Sequence, residues 1–133
     1  MITIYDSQKM ACVLLGSIDP DLKAILLERL ALLAEFSEWD LADLAHFIIV
    51  EPGDCLESIE RELGVNPLVN IVDNVRYPDP AFDPSFEFCI ARAGYFDLTF
   101  ALCDAGLANC LLVPDRDDIE PTLLALCRSY ATE

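Results

Sequence analysis

Positive charge is scarce in this chain: 8 Lys and Arg stand against 24 Asp and Glu in 133 residues, for a net charge of −16. A field of that sign repels phosphate backbones and anionic lipid, so direct binding to nucleic acid or to a membrane surface is not expected. Histidine is nearly missing, with His46 alone, and the 6 cysteines include no C-x-x-C spacing. No zinc-type ligand spacing is present, and neither a metal nor another cofactor is expected. Glycine is sparse, at 5 residues, and forms no phosphate-cradling loop or nucleophile elbow. No apolar run approaches the ~20 residues that cross a bilayer. The run from Met10 to Leu15 is too short for the apolar core of a secretory signal, so a cytoplasmic chain is expected.

What the chain has in quantity is apolar surface and acid. Hydrophobic residues make up 54%, and the length suits a single domain with a core that needs no staples. Most of Cys12, Cys55, Cys89, Cys103, Cys110 and Cys127 sit inside apolar segments, where a free thiol packs as a small hydrophobe. Buried, reduced cysteines are expected, with Cys103 and Cys110 the pair placed to bridge under oxidation. Acid is concentrated between Glu35 and Glu62, where nine carboxylates face Arg61 alone, a net charge of −8. Such a surface attracts a basic partner, and it also keeps an apolar-rich protein in solution.

The stretch from Tyr95 to Pro114 organises the fold. Phe96, Leu98, Phe100 and Leu102 alternate with Tyr95, Asp97 and Thr99, as a half-buried strand requires. A turn at Asp104 to Gly106 and a second apolar run from Leu107 to Val113 complete a β-hairpin, closed by Pro114. Before it, Ala11 to Leu15 reads as a short strand, and Asp19, Pro20 and Asp21 open a helix running to about Phe36. Arg29 projects from that helix's apolar face, and it serves either as a snorkelling or carboxylate-paired residue at the core edge or as an anion contact. Ser37 and Asp40 resemble a capping box for a second helix. Phe47 to Val50 is extended, Asp54 with Glu57 caps a third helix, and Gly64 stops it. Val65 to Phe82 is irregular and is the best candidate for a binding loop, and a helix opening at Asp83 and Pro84 ends at Gly94. The last helix starts at Pro121, in wording close to that around Pro20, which suggests either a βα duplication or recurrent capping. The expected class is α+β: a small, mainly antiparallel sheet built on the 95–113 hairpin, with helices packed on one face.

Two resemblances bear on function. The run from Phe47 to Val65, with Pro52, Gly53 and Asp54 followed by Leu56 and Ile59, resembles the first half of a LysM module, which implies binding to N-acetylglucosamine polymers. Glu51 to Asp54, Leu63 to Asn70, Val113 to Arg116 and Leu123 to Arg128 together resemble small acidic proteins encoded on bacterial plasmids and integrative elements. That implies a bacterial accessory protein and transfers no catalytic residue. Residues and charge together point to a non-catalytic interaction protein. Its acidic surface, Glu35, Glu38, Asp40, Asp43, Glu51, Asp54, Glu57 and Glu60, would engage a basic protein, in the manner of proteins that imitate nucleic acid. A LysM-like carbohydrate-binding module is the alternative, and an enzyme using His46 or a cysteine comes third. The apolar excess further suggests a homodimer, through Leu27, Ala31 and Leu32 or through the outer hairpin edge.

Overall fold

The computed structural model of the chain describes residues 1–33, 41, 45–64, 68, 89–101 and 108–131. Its strands are β1 (Ile2–Ile4), β2 (Ala45–Ile49), β3 (Cys89–Arg92), β4 (Tyr95–Ala101) and β5 (Ala108–Pro114), and its helices are α1 (Ser7–Leu15), α2 (Pro20–Leu33), α3 (Leu56–Leu63) and α4 (Pro121–Tyr130). The strands form one sheet in the order β1-β2-β5-β4-β3. Three of its pairings are antiparallel, and β2 runs parallel to β5, which makes the sheet mixed. The α+β class and the mainly antiparallel sheet are as expected, and the hairpin at its heart pairs Tyr95 with Pro114 and Leu98 with Leu111.

Helices cover both faces of this sheet, not one. Alternate residues of the central strands divide between two cores. Ile48, Val50, Phe96, Leu98, Leu111 and Val113 pack with Ile59 and Leu63 of α3 and Leu123, Leu124 and Cys127 of α4. Phe47, Ile49, Tyr95, Cys110 and Leu112 pack on the other side with Met10 and Val13 of α1 and Leu22, Ile25 and Leu26 of α2. The side of β4 that alternation assigned to solvent is therefore a second interior. A period of two shows that the two faces differ, but a strand with tyrosine and aspartate on its second face gives no sign that a helix lies over them.

One strand and one helix assignment change. Ala11 to Leu15 belongs to α1, because Asp6 accepts the Lys9 amide at 2.7 Å and starts a helix there, with Met10 and Val13 turned to the core. Cys89–Arg92, expected as the end of a helix, is β3. Ala93 and Gly94, with φ of 49° and 82°, make the two-residue hairpin turn whose left-handed backbone suits the strand twist. Pro20 and Pro121 both open helices, but α2 follows a helix and α4 follows a strand. Their shared wording is capping chemistry: Asp19 accepts the Asp21 amide and Glu120 the Leu123 amide. The Ser37–Asp40 capping box, the 65–82 connection apart from Leu68, the helix start at Asp83 and the 104–106 turn lie outside the described residues.

At eight residues α3 is too short to persist alone. Burying Ile59 and Leu63, at 0% and 2% exposure, contributes roughly 4 kcal/mol to holding it on the sheet, and Gly64 ends it in the left-handed region at φ 83°. Among the described residues, no helix is long and apolar enough to cross a membrane.

Candidate functional site

The acidic residues divide by what they touch. Glu35, Glu38, Asp40 and Asp43 lie outside the described residues. Glu57 and Glu60 are exposed on the outer side of α3, where the side chain of Glu57 makes, among the described residues, only a long contact of 3.4 Å with Arg61, itself exposed. An ion pair so open to water adds little. Glu51 and Asp54 both meet the Met1 ammonium, at 2.6 and 3.1 Å. That ammonium is raised in pKa: burial lowers it, but the hydrogen bonds and charges of Glu51 and Asp54 together outweigh the burial. Asp54 is not the cap of α3. It accepts the Glu51 amide at 2.8 Å and so closes the Pro52–Gly53 turn, while Cys55 occupies the cap position without a side-chain bond to the helix.

Basic side chains are distributed unevenly. Arg61 pairs with Glu57, Arg116 with Asp118, and Arg128 with Asp115 and Asp117; the two aspartates raise the Arg128 pKa. Arg29 and Arg92 are engaged as well, by Asp97 and Glu28. Lys9 of α1 and Lys23 of α2 make no ion pair among the described residues. On the α3–α4 side of the sheet Arg61 and Arg128 both face carboxylates of their own chain. That side also carries exposed Glu57, Glu60 and Glu62 on α3, with Asp115 and Asp117 beside Arg128 of α4.

Arg29 finds a carboxylate in the interior, as its place on an apolar helix face required. Its Nε and terminal nitrogen donate to Asp97 Oδ2 at 3.1 and 2.6 Å. Arg92 donates to the same oxygen at 3.2 Å and also to Glu28. Asp97 is 1% exposed, and its other oxygen, Oδ1, has no partner among the described residues. The four side chains sum to zero charge and tie α2 to β3 and β4. Sequence reasoning placed Asp97 on an open face and so missed this cluster. The available signal was a lone aspartate in an apolar strand and a lone arginine on an apolar helix face, two opposite charges that each need the other.

His46 lies beside Tyr5, with ring centroids 4.5 Å apart and planes tilted by 48°, and Tyr5 donates its hydroxyl to Glu62. Burial, then that hydrogen bond, pushes the Tyr5 pKa up to about 12. Tyr95 is raised to about 12 in the same way, by burial and then by its bond to Asp19 at 3.0 Å. Of the cysteines, Cys110 and Cys127 are buried, as expected, but Cys12 and Cys55 are exposed. Cys12 sits on the outer side of an unexpected helix, and Cys55 sits in the turn before α3. Ser58 lowers the Cys55 thiol pKa, chiefly through its hydroxyl. Cys103 lies outside the described residues, and Cys110 stands opposite Thr99 in the sheet.

An open cleft of about 260 Å³ lies at the β3–β4 turn, lined by Arg92, Gly94, Tyr95 and Asp115 among others. Among the described residues, no group of three or more His, Cys, Asp or Glu is placed to hold a metal ion. No protein-family model, curated protein or solved structure matches the chain.

Proposed function

We infer that the protein is a non-catalytic interaction module whose acidic α3–α4 side engages a basic protein surface, and that it works as a homodimer. One observation carries the reading of the acidic side. On that side exposed carboxylates outnumber arginines by five to two: Glu57, Asp115 and Asp117 pair with Arg61 and Arg128, yet the Glu57 and Asp117 side chains stay 85% and 96% exposed, and Glu60 and Glu62 are exposed as well. With acids in that excess, the field there stays negative and draws lysine- and arginine-rich surfaces at rates above the uncharged limit. Repulsion of phosphate backbones by the same field makes a nucleic-acid-binding protein, met through its basic face, the fitting partner class.

The test is titration of a labelled lysine- and arginine-rich peptide into the full chain at low and high salt. Binding is expected at low salt and is lost past a few hundred millimolar, where the Debye length has fallen to about 5 Å. Joint replacement of Glu57→Gln and Glu60→Gln weakens it severalfold. Peptide binding that ignores these substitutions, or retention on chitin or peptidoglycan that survives high salt, would overturn the reading in favour of another surface or of carbohydrate recognition.

A further inference from the structure

The side of α2 that faces away from the sheet has the wrong character for a solvated surface. Leu22, Ile25 and Leu26 point inward, while Pro20, Ala24, Leu27 and Ala31 point outward and are exposed. Leu27 is 48% exposed, one of two large hydrophobics in that state among the described residues. The outward residues are spaced by four, three and four, which is the core seam of a two-helix coil. Lys23 and Glu28 flank the seam on opposite sides, at the positions that pair across such a coil. Lys23 makes no ion pair among the described residues, and Glu28 is held by Arg92 through only one oxygen, Oε2.

These charges decide what covers the seam and in which direction. If a second α2 ran antiparallel, Asp21 would stand against Glu28 of the other copy, acid against acid, and Lys23 would lie beside Leu30. If it ran parallel, each Lys23 would meet Glu28 of the other copy, twice over by symmetry. We propose that the Ala24–Leu27–Ala31 stripe of α2 docks on the same stripe of a second copy, the two helices parallel about a two-fold axis. This rests on the homodimer part of the proposed function and supplies its surface and direction. A helix of 14 residues is about 21 Å long and cannot bury the ~800 Å² per partner of a stable interface. The dimer is therefore a weak one, and screening of the −16 carried by each copy strengthens it as salt rises.

Sedimentation of the full chain at high salt, over a range of concentrations, tests the surface. The wild type dimerises reversibly, and Leu27→Asp raises the dissociation constant about thirtyfold, since each dimer loses the further burial of two leucines that are 48% exposed in the single copy. Lys23→Glu weakens the dimer a fewfold by setting acid against Glu28 of the other copy, and Lys23→Arg leaves it unchanged. Direction is tested in a Cys12→Ser, Cys55→Ser background: Ala24→Cys and Ala31→Cys should each form a disulfide to its own copy under mild oxidation. Residues 24 and 31 are about 10 Å apart along the helix, so an antiparallel pair cannot bring both onto their own copies. Crosslinking at only one of the two sites overturns the parallel arrangement. A dimer unaffected by Leu27→Asp overturns the surface while leaving self-association standing. A wild type that stays monomeric at every concentration and salt overturns both.

Discussion

Replacing Asp97 by alanine removes a carboxylate whose side chain is 0% exposed and which receives two bonds from Arg29 and one from Arg92, at 2.6, 3.1 and 3.2 Å. Breaking a buried ion pair from one side costs about 3–5 kcal/mol, because the remaining charge is stranded in the interior. Here the stranded groups are guanidiniums on side chains that are 22% exposed, so they turn partly toward water and the cost sits at the lower end, about 3 kcal/mol. Against a total stability of about 5–15 kcal/mol, that is a large share. With a urea slope near 2 kcal/mol per molar, the unfolding midpoint falls by about 1.5 M at unchanged slope. Arg29→Met alone leaves Asp97 with the single Arg92 contact and costs about as much. Asp97→Leu combined with Arg29→Met exchanges a buried pair for apolar packing and recovers most of the loss. Circular dichroism in urea measures all three. An Asp97→Ala variant within about 0.5 kcal/mol of wild type, or a double variant as unstable as the two single losses added together, would refute the view that the cluster locks α2 onto β3 and β4.

Alkaline pH separates the tyrosines. Tyr5 and Tyr95 hold their protons to about pH 12 when folded but release them near 10 when unfolded, so their contribution is intact below pH 10 and is lost as pH rises from 10 to 12. Chemical unfolding should show that decline, and Tyr5→Phe and Tyr95→Phe should each flatten it; near-UV titration should find late ionisation that each of these substitutions reduces. In the native state Cys12 and Cys55 should react with a thiol reagent while Cys110 and Cys127 wait for unfolding. Cys55 should be the faster at neutral pH because Ser58 lowers its pKa. Equal, slow labelling of all these thiols would contradict the placement of α1 and of the turn before α3.

Several features of this protein were decided locally and were legible from the residues alone. The hairpin follows from strict alternation along Tyr95–Ala101 and the apolar run Cys110, Leu111, Leu112 and Val113 within Ala108–Pro114, and the start of α2 and the end of α3 follow from Pro20 and Gly64. Each depends on backbone preferences or on a period that a few neighbouring residues determine. The scarcity of cations was equally plain. Other features depend on what lies across space. That Asp97 is buried depends on α2 covering its face of the sheet, 68 residues away in sequence from Arg29. That Cys89–Arg92 is a strand depends on β4 offering it hydrogen bonds, since four residues with mixed character satisfy either period. Asp54 is drawn from its helix by the Glu51 amide three residues before it and by the Met1 ammonium, and only the folded sheet brings Met1 within reach. Local periodicity specifies which sides of an element are apolar, but only the packed layers determine which of those sides are covered and which charges must then find each other inside.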